Sequence, residues 1–405
     1  MRRPRGTDPL PREVGVLAIV AFVVALGFGV VAPAIPLFAQ AYGVGTTAVG
    51  LAISTFAFFR FVSAFAGGSL VERLGERAVL AAGLVIVAVT TGLSALAGSF
   101  PLFVALRGAG GIGSALFTVA ALSLLLRAAP ATQRGRAAAT YQGGFILGGI
   151  AGPAAGGFLT EVSPQLPFFV YTAALLVAGT VALVLLRRPS RDLPEAPVPA
   201  PDAAGPPAPK AGSGLAAAFR SRAYLAALVA NLGVGWVLFG VRNSLVPLYV
   251  TEELGKTAAW AGAGLLAGSL AQAVGLLRAG RLSDNWGRRP ALLLGSALAT
   301  ASMAVLVLPP VTALFLLSMA TFGLAASLLA SVPAAIVGDV SPARGGRLVA
   351  VFQMVADLGA VTGPLVAGWL TDAFSFQVAF GASAAVLALS LITALAMPRT
   401  PRPIG

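Results

Sequence analysis

The sequence has no cysteine and no histidine among its 405 residues. Disulfides, thiolate nucleophiles, imidazole bases and the usual zinc, copper and haem ligands are therefore excluded. No cofactor and no metal are expected. Charge is also scarce, at 10% of residues. A soluble domain carries about 25%, so a water-facing surface for so long a chain cannot be built from these side chains. Disorder needs low hydrophobicity, and 58% of this chain is hydrophobic. Missing too are a metal-binding His-Glu-x-x-His pair and a Ser–His dyad, and one deep Asp cannot form an aspartyl pair, so an enzyme is not expected. There is no Gly-x-x-x-x-Gly-Lys-Ser/Thr loop, which argues against ATP drive within this chain.

What is present is apolar sequence in long runs. A membrane-spanning helix needs about 20 mostly apolar residues. Twelve such stretches are predicted: 14–38, 47–70, 79–98, 101–126, 137–160, 167–186, 223–250, 259–280, 291–308, 311–338, 348–370 and 375–397. The first is too long for the apolar region of a signal peptide, about 7–15 residues, and reads as helix 1. Residues 187–222 are rich in Pro, Ala and Gly and read as a linker. The expected organisation is an all-α integral membrane protein with six helices in 1–186, a linker over 187–222, and six helices in 223–405.

The net charge is +13, with 27 basic and 14 acidic residues. Of the basic residues, 23 fall on the even-numbered connections, the two ends and the last turn of one stretch (Arg278), one (Lys256) on the odd-numbered connections, and three deep inside predicted helices. That bias orients both termini to the cytoplasm, in the cell (inner) membrane. It also accounts for the basic balance without nucleic acid.

The two halves echo each other at an offset of 211–212 residues. IPLFAQAYGVG (35–45) matches VPLYVTEELGK (246–256), and GSLVERLGERAVL (68–80) matches GRLSDNWGRRPAL (280–292). GGIAGPAAGGFLTE (148–161) matches GAVTGPLVAGWLTD (359–372). Three blocks at one offset indicate a duplicated six-helix unit, and paired six-helix halves with a site between them are one transporter plan.

At these residues the chain resembles the major facilitator superfamily, in particular its twelve-helix drug/proton antiporters. The likeness covers about residues 14–397. The family's loop motif G-x-L-x-D-R-x-G-R-R is matched by Gly280, Leu282, Asp284, Gly287, Arg288 and Arg289. In the first half it appears as Gly68, Leu70, Glu72, Arg73, Gly75 and Arg77, with Glu76 in place of an Arg. A tight Gly turn joins two helices there, an acid faces a helix N-terminus across the seam, and arginines bind acids or lipid phosphate. Arg107, Gly110, Gly111 and Gly113 on helix 4 resemble R-x-x-Q-G-x-G, with Gly110 where Gln is usual. Arg107, Gly111, Ser114 and Thr118 share one face, and the resemblance implies that this face lines a central cavity. Gly148, Gly152, Pro153, Gly156 and Gly157 on helix 5 match the motif that marks antiporting exporters in this family. Small residues at this spacing let a neighbouring helix approach closely.

Four ionisable residues lie at membrane depth: Arg60, Arg107, Arg242 and Asp357. Charges there are costly and point to function. Their repeat partners are Gln272, Ser318, Val31 and Ile146, so none is echoed. Asp357 is the expected proton carrier, with Arg60 or Arg107 as its basic partner. The resemblance brings helices 2 and 11, and so Arg60, together across the seam. Arg107, Arg242, Asn231, Gln40, Trp236 and Asn243 are the expected substrate-cavity residues, with Tyr141, Gln142, Phe239 and Phe322 as further candidates. Helix 1 has no acid past Glu13. The four deep charges sum to +2, which favours an anionic or neutral solute if Arg107 and Arg242 face the cavity. The expected function is proton-coupled export of a small solute (a drug or metabolite) by a monomer working by alternating access. Symport or uniport of a sugar, organic anion or other metabolite is the alternative. A non-transporting receptor or assembly factor is a third class.

Overall fold

The computed structural model describes residues 9–130, 133–186, 218–340 and 346–398. The predicted linker lies outside them up to residue 217. The first six long helices are α1 (Arg12–Gln40), α2 (Thr46–Leu74), α3 (Glu76–Ala95), α4 (Phe100–Ala128), α5 (Arg134–Val162) and α6 (Leu166–Leu185). The second six are α7 (Arg222–Glu252), α8 (Ala258–Trp286), α9 (Arg288–Val305), α10 (Thr312–Val340), α11 (Gly346–Ala373) and α12 (Phe376–Leu395). Strands are absent among the described residues.

Eleven of these helices are long and apolar enough to cross a membrane. The exception is α9. It has 18 residues and begins Arg288, Arg289, Pro290, so its apolar part is short for a core of about 30 Å. The other predicted stretches fall on the helices with ends shifted by a few residues. The largest extensions run past the apolar core into polar ends, as where α2 continues to Leu74 and α8 to Trp286.

Two helices are broken in mid-course. In α1 a turn falls at Ala32 and Pro33, where proline lacks the N–H that would continue the ladder. In α7, Gly235–Val241 forms a seven-residue π-helical segment, a rarity that clusters at functional sites.

The repeat is visible in the backbone. Among the described residues the positive-φ residues are all glycines, and they fall into two pairs 212 residues apart: Gly43 (φ 73°) with Gly255 (φ 58°), and Gly75 (φ 82°) with Gly287 (φ 93°). Only glycine adopts such angles freely, so Gly75 and Gly287 set the sharp turns from α2 to α3 and from α8 to α9.

Within the first half α5 lies along α1 and α4 along α2 and α3, and the second half repeats this with α11 on α7 and α10 on α8 and α9. The halves meet along α2–α11 and α5–α8. Backbones touch at these contacts. A Cβ on Gly148, Gly152 or Gly156 would strike the carbonyls of Phe22, Leu26 or Val30 on α1. One on Gly157 would lie 2.8 Å from the Ala258 carbonyl and 3.0 Å from Gly262 Cα on α8. The glycines of the helix 5 motif therefore serve two different contacts, one inside the half and one at the seam.

Candidate functional site

One cavity of about 340 Å³ opens between the halves, lined from α1, α2, α4, α7 and α11. Its charged lining is Arg60 on α2, Arg107 on α4 and Asp357 on α11. The sequence placed these three at membrane depth on three separate helices, and the fold brings them to one space. Arg60 lies within electrostatic reach of Asp357 and of Tyr141 and Tyr171. The ion pairs seen among the described residues are all outside the cavity: Arg127–Glu76, Arg288–Asp284 and Arg288–Asp339.

Arg107 is 7% exposed, and its Nε has no hydrogen-bond partner. Its guanidinium carbon sits 4.6 Å from the centre of the Phe56 ring. Gly111 explains the approach, because a Cβ there would strike the Phe56 carbonyl and come within 3.1 Å of the Arg60 amide. At Gly110, where the related motif has Gln, an added Cβ would lie 3.1 Å from Thr90 Oγ1 and 3.6 Å from the Phe56 ring. Thr118, one turn beyond Ser114, completes the predicted face and lines the cavity, donating to the Ser114 carbonyl at 2.8 Å.

The predicted polar lining divides. Asn231 and Asn243 line the cavity, as do Phe239 and Gln353. Asn231 is buried and donates to the Phe352 carbonyl at 2.6 Å. Tyr141 is buried beside Phe145 with an unpartnered hydroxyl, Gln142 is exposed, and Phe322 is core. Arg242 is outside the lining. It is buried and donates to the Leu265 carbonyl at 2.8 Å and to Ser269 Oγ at 3.3 Å, both on α8. Trp236 is also outside, donating to Ser383 Oγ at 3.1 Å, and Gln40 donates to Glu252. All three meet neighbours in a packed interior or at a helix end, which a single sequence does not distinguish from a cavity wall. The charge of the lining is thus +1 rather than +2.

Sequence reasoning missed Phe28, Phe56 and Phe61, which give the cavity aromatic walls. Phe56 was within reach, standing one helical turn before Arg60 on the same face.

The two ends of the molecule differ. The end carrying the Gly75 and Gly287 turns is the loop end; the other is the far end. Hydrogen bonds between the halves cluster toward the far end. Asp372, at the end of α11, accepts from Thr46 N (2.8 Å), Thr47 N (2.7 Å) and Thr47 Oγ1 (2.6 Å) at the start of α2. Glu161, at the end of α5, accepts from Ala259 N (3.1 Å) at the start of α8. Each acid caps a helix N-terminus of the opposite half, where exposed N–H groups and the dipole favour a negative charge. Both acids close the repeated LTE/LTD block, a signal present in the sequence but not interpreted there. Deeper in the seam, Ser54 Oγ donates to the Val361 carbonyl at 2.6 Å, and a Cβ on Gly50 would strike the Pro364 carbonyl.

At the loop end three ion pairs among the described residues each lie within one half. Asp284 pairs with Arg288 at 2.8 Å, and Arg288 reaches Asp339 on α10 at 3.0 Å. The first half repeats the second bridge with its charges exchanged, Glu76 on α3 pairing with Arg127 on α4 at 2.7 Å. The Glu76 that departs from the motif thus has a partner. Arg77 donates to the Leu183 carbonyl and Arg289 to the Leu395 carbonyl, again one contact twice. Glu72 and Arg73 are exposed. Residues 341–345, just before α11 in the chain, lie outside the described residues.

Two six-helix halves around a cavity with charged lining, joined by hydrogen bonds toward the far end, define an all-α membrane transporter fold. The chain matches the family profile of the Major Facilitator Superfamily over residues 17–268 and 237–405, and it belongs to that family. It is 28% identical over 184 residues to Quinolone resistance protein NorA of Staphylococcus aureus, covering 44% of this chain and 46% of that one. It is 29% identical over 171 residues to Multidrug resistance protein 1 of Bacillus subtilis, covering 42% and 44%. The chain spans about half the length of the curated relatives it matches. A bacterial homolog of the human lysosomal transporter Spinster superposes with TM-score 0.77 at 15% identity over 95% of this chain and 96% of that one. A D-xylose-proton symporter does so at 0.73 and 17%, over 96% and 98%. These neighbours share the fold, and the proteins matched are transporters rather than enzymes.

Proposed function

We propose that this protein is a secondary active transporter of the cell membrane that exports a small organic solute in exchange for protons, working as a monomer. The loop end and both chain termini face the cytoplasm, a reading supported by the bias of 23 basic residues toward the even-numbered connections and the two ends in the sequence. The carrying observation is the cavity between the halves whose lining includes Asp357, Arg60 and Arg107, with the far-end acids Glu161 and Asp372 bonding across the seam. Likeness to two drug-resistance proteins supports export, and the helix 5 glycines support exchange.

Asp357 is the proton site. A carboxylate in this space can lose its charge, whereas the arginines keep theirs at any accessible pH. Protonation removes the counter-charge that faces Arg60 across α2 and α11, and so loosens the seam at mid-depth. Arg107, Asn231 and Asn243 contact the solute. Glu72 and Asp284, with Arg73, Arg77, Arg288 and Arg289 around them, gate the loop end when it closes. Everted vesicles carrying the parent protein should accumulate its solute when their interior is acidified. Asp357→Asn should abolish that accumulation yet leave solute exchange down its own gradient. Undiminished accumulation in the variant would remove Asp357 from the mechanism, and accumulation that needs an alkaline interior would replace export with symport.

A further inference from the structure

The chemistry of the cavity wall restricts what the solute can be. Arg107 is more than nine-tenths buried, lines the cavity, and has a guanidinium nitrogen with no partner. Its described contact is a ring, Phe56, which satisfies charge on one face of the guanidinium and none of its N–H donors. A buried guanidinium left in this state is costly. A planar carboxylate is its matched ligand, because two parallel N–H groups meet two oxygens.

Asp357 is the cavity's carboxylate, and it too lies outside every ion pair seen among the described residues. A solute with only a positive group would meet Asp357 but leave Arg107 uncompensated. A solute with only a negative group would bind more tightly once Asp357 carried a proton, and would then travel with protons. Exchange requires the proton and the solute to compete at Asp357. An amine on the solute supplies that competition, and a carboxylate answers Arg107. The same cavity is lined by Phe28 and Phe56, with ring centres 6.4 Å apart, and by Phe239 from the opposite half.

We infer that the transported solute is an aromatic amphoteric molecule, its carboxylate held by Arg107, its protonated amine facing Asp357, and its ring packed against Phe28, Phe56 and Phe239. This rests on the reading of Asp357 as the exchange carboxylate. Arg60 then offers the carboxylate a second donor from α2.

One xanthene body with three charge patterns tests the assignment. Rhodamine 110 carries both a carboxylate and a cationic ring system, rhodamine 123 is its methyl ester, and fluorescein is anionic. Fluorescence anisotropy with the full chain in lipid nanodiscs should show rhodamine 110 binding about tenfold more tightly than rhodamine 123, the size of effect expected for one hydrogen-bonded charge pair. Arg107→Gln should erase that preference and Arg107→Lys should keep part of it. Asp357→Asn should weaken both rhodamines and strengthen fluorescein.

Rhodamine 123 binding the parent protein as tightly as rhodamine 110 would overturn the inference without recourse to any variant. So would a preference that survives Arg107→Gln, rhodamine binding unchanged by Asp357→Asn, or failure of all three dyes to bind. Because binding is read without transport, such a failure leaves the exporter reading standing. Vesicles that bind rhodamine 110 in the expected order yet never move it would defeat the exporter reading alone.

Discussion

Asp372 offers a direct measure of how the far end is held shut. Its carboxylate accepts three hydrogen bonds from the first residues of α2, at 2.6–2.8 Å, and does so from the other half of the protein. Asp372→Ala removes all three and leaves Thr46 N and Thr47 N without that cap. Losing a side-chain cap costs about 1 kcal/mol, and the charge–dipole contribution adds roughly 0.3–1 kcal/mol at an exposed site. The Thr47 contacts are solvent-exposed, so water recovers part of this, and a total of about 1–2 kcal/mol is expected. These contacts exist only when the far end is closed. The loss therefore shifts the balance between the two open states by roughly 5–30-fold toward the far-end-open state.

The absence of cysteine makes the shift measurable with a single reporter thiol. Ala64→Cys and Ile35→Cys both line the cavity, Ala64 toward the loop end and Ile35 on the part of α1 beyond its break. Asp372→Ala should slow labelling of Ala64→Cys by an impermeant thiol reagent applied from the loop side. It should speed labelling of Ile35→Cys from the far side, moving the ratio of rates by about 5–30-fold, the Boltzmann factor of the same 1–2 kcal/mol. Asp372→Asn keeps an acceptor but loses the charge, and should move the ratio by less. A ratio unchanged in Asp372→Ala would refute the latch.

Asp284→Asn should move the same ratio the other way, because Asp284 is assigned to closing the loop end; faster far-side labelling in that variant would contradict the gate. The Glu76–Arg127 bridge should tolerate exchange: Glu76→Arg or Arg127→Glu alone should lower the melting temperature, since Glu76 is buried, and the double exchange should recover most of the loss, a recovery that thermal unfolding in detergent would show or deny. Residues 187–222 should act as a tether without a part in transport, so co-expressed 1–190 and 215–405 should assemble through the α2–α11 and α5–α8 contacts and move solute; both halves present in the membrane with no flux would count against this.

Helices were legible because their signal is local. About twenty apolar residues between short charged connections locate a span wherever it packs, and the positions of Gly75 and Gly287 fixed the turns. The deep charges were legible for the same reason, since a charge inside an apolar run stands out without knowledge of its neighbours. Orientation around the helix axis was not. Arg107 and Arg242 look alike in the sequence, each one cation within a long apolar stretch. The fold turns Arg107 to the cavity and Arg242 to the α8 backbone, where Leu265 and Ser269 satisfy it. The π-helical segment of α7 had no local mark either. It adjoins α11, where a Cβ on Gly235 would strike the Ala356 carbonyl and one on Gly240 would lie 2.9 Å from Pro364 Cδ. Its cause is tertiary.

The duplication supplies a way to separate scaffold from site that neither half supplies alone. Contacts that hold a six-helix unit together, or hold two units to each other, recur at an offset of about 212. Arg77 to Leu183 recurs as Arg289 to Leu395. Glu76–Arg127 recurs as Arg288–Asp339 with the charges exchanged. Glu161 on α8 recurs as Asp372 on α2, and Gln40 meets Glu252, its own repeat partner. The exchanged pair shows that selection for an attractive bridge is blind to which side carries which sign, so identity is not the criterion; the contact is. By that criterion Arg60, Arg107 and Asp357 stand apart. Their equivalents are Gln272, Ser318 and Ile146, which cannot reproduce a charge of either sign. A substrate enters one cavity from one side of the pseudo-axis at a time and has no need of a symmetric wall. Arg242 warns that asymmetry alone is not enough, since it is unrepeated yet satisfied by the α8 backbone. The two conditions together, an unrepeated charge and a place on the cavity wall, select Arg60, Arg107 and Asp357 and no fourth charged residue among the described residues.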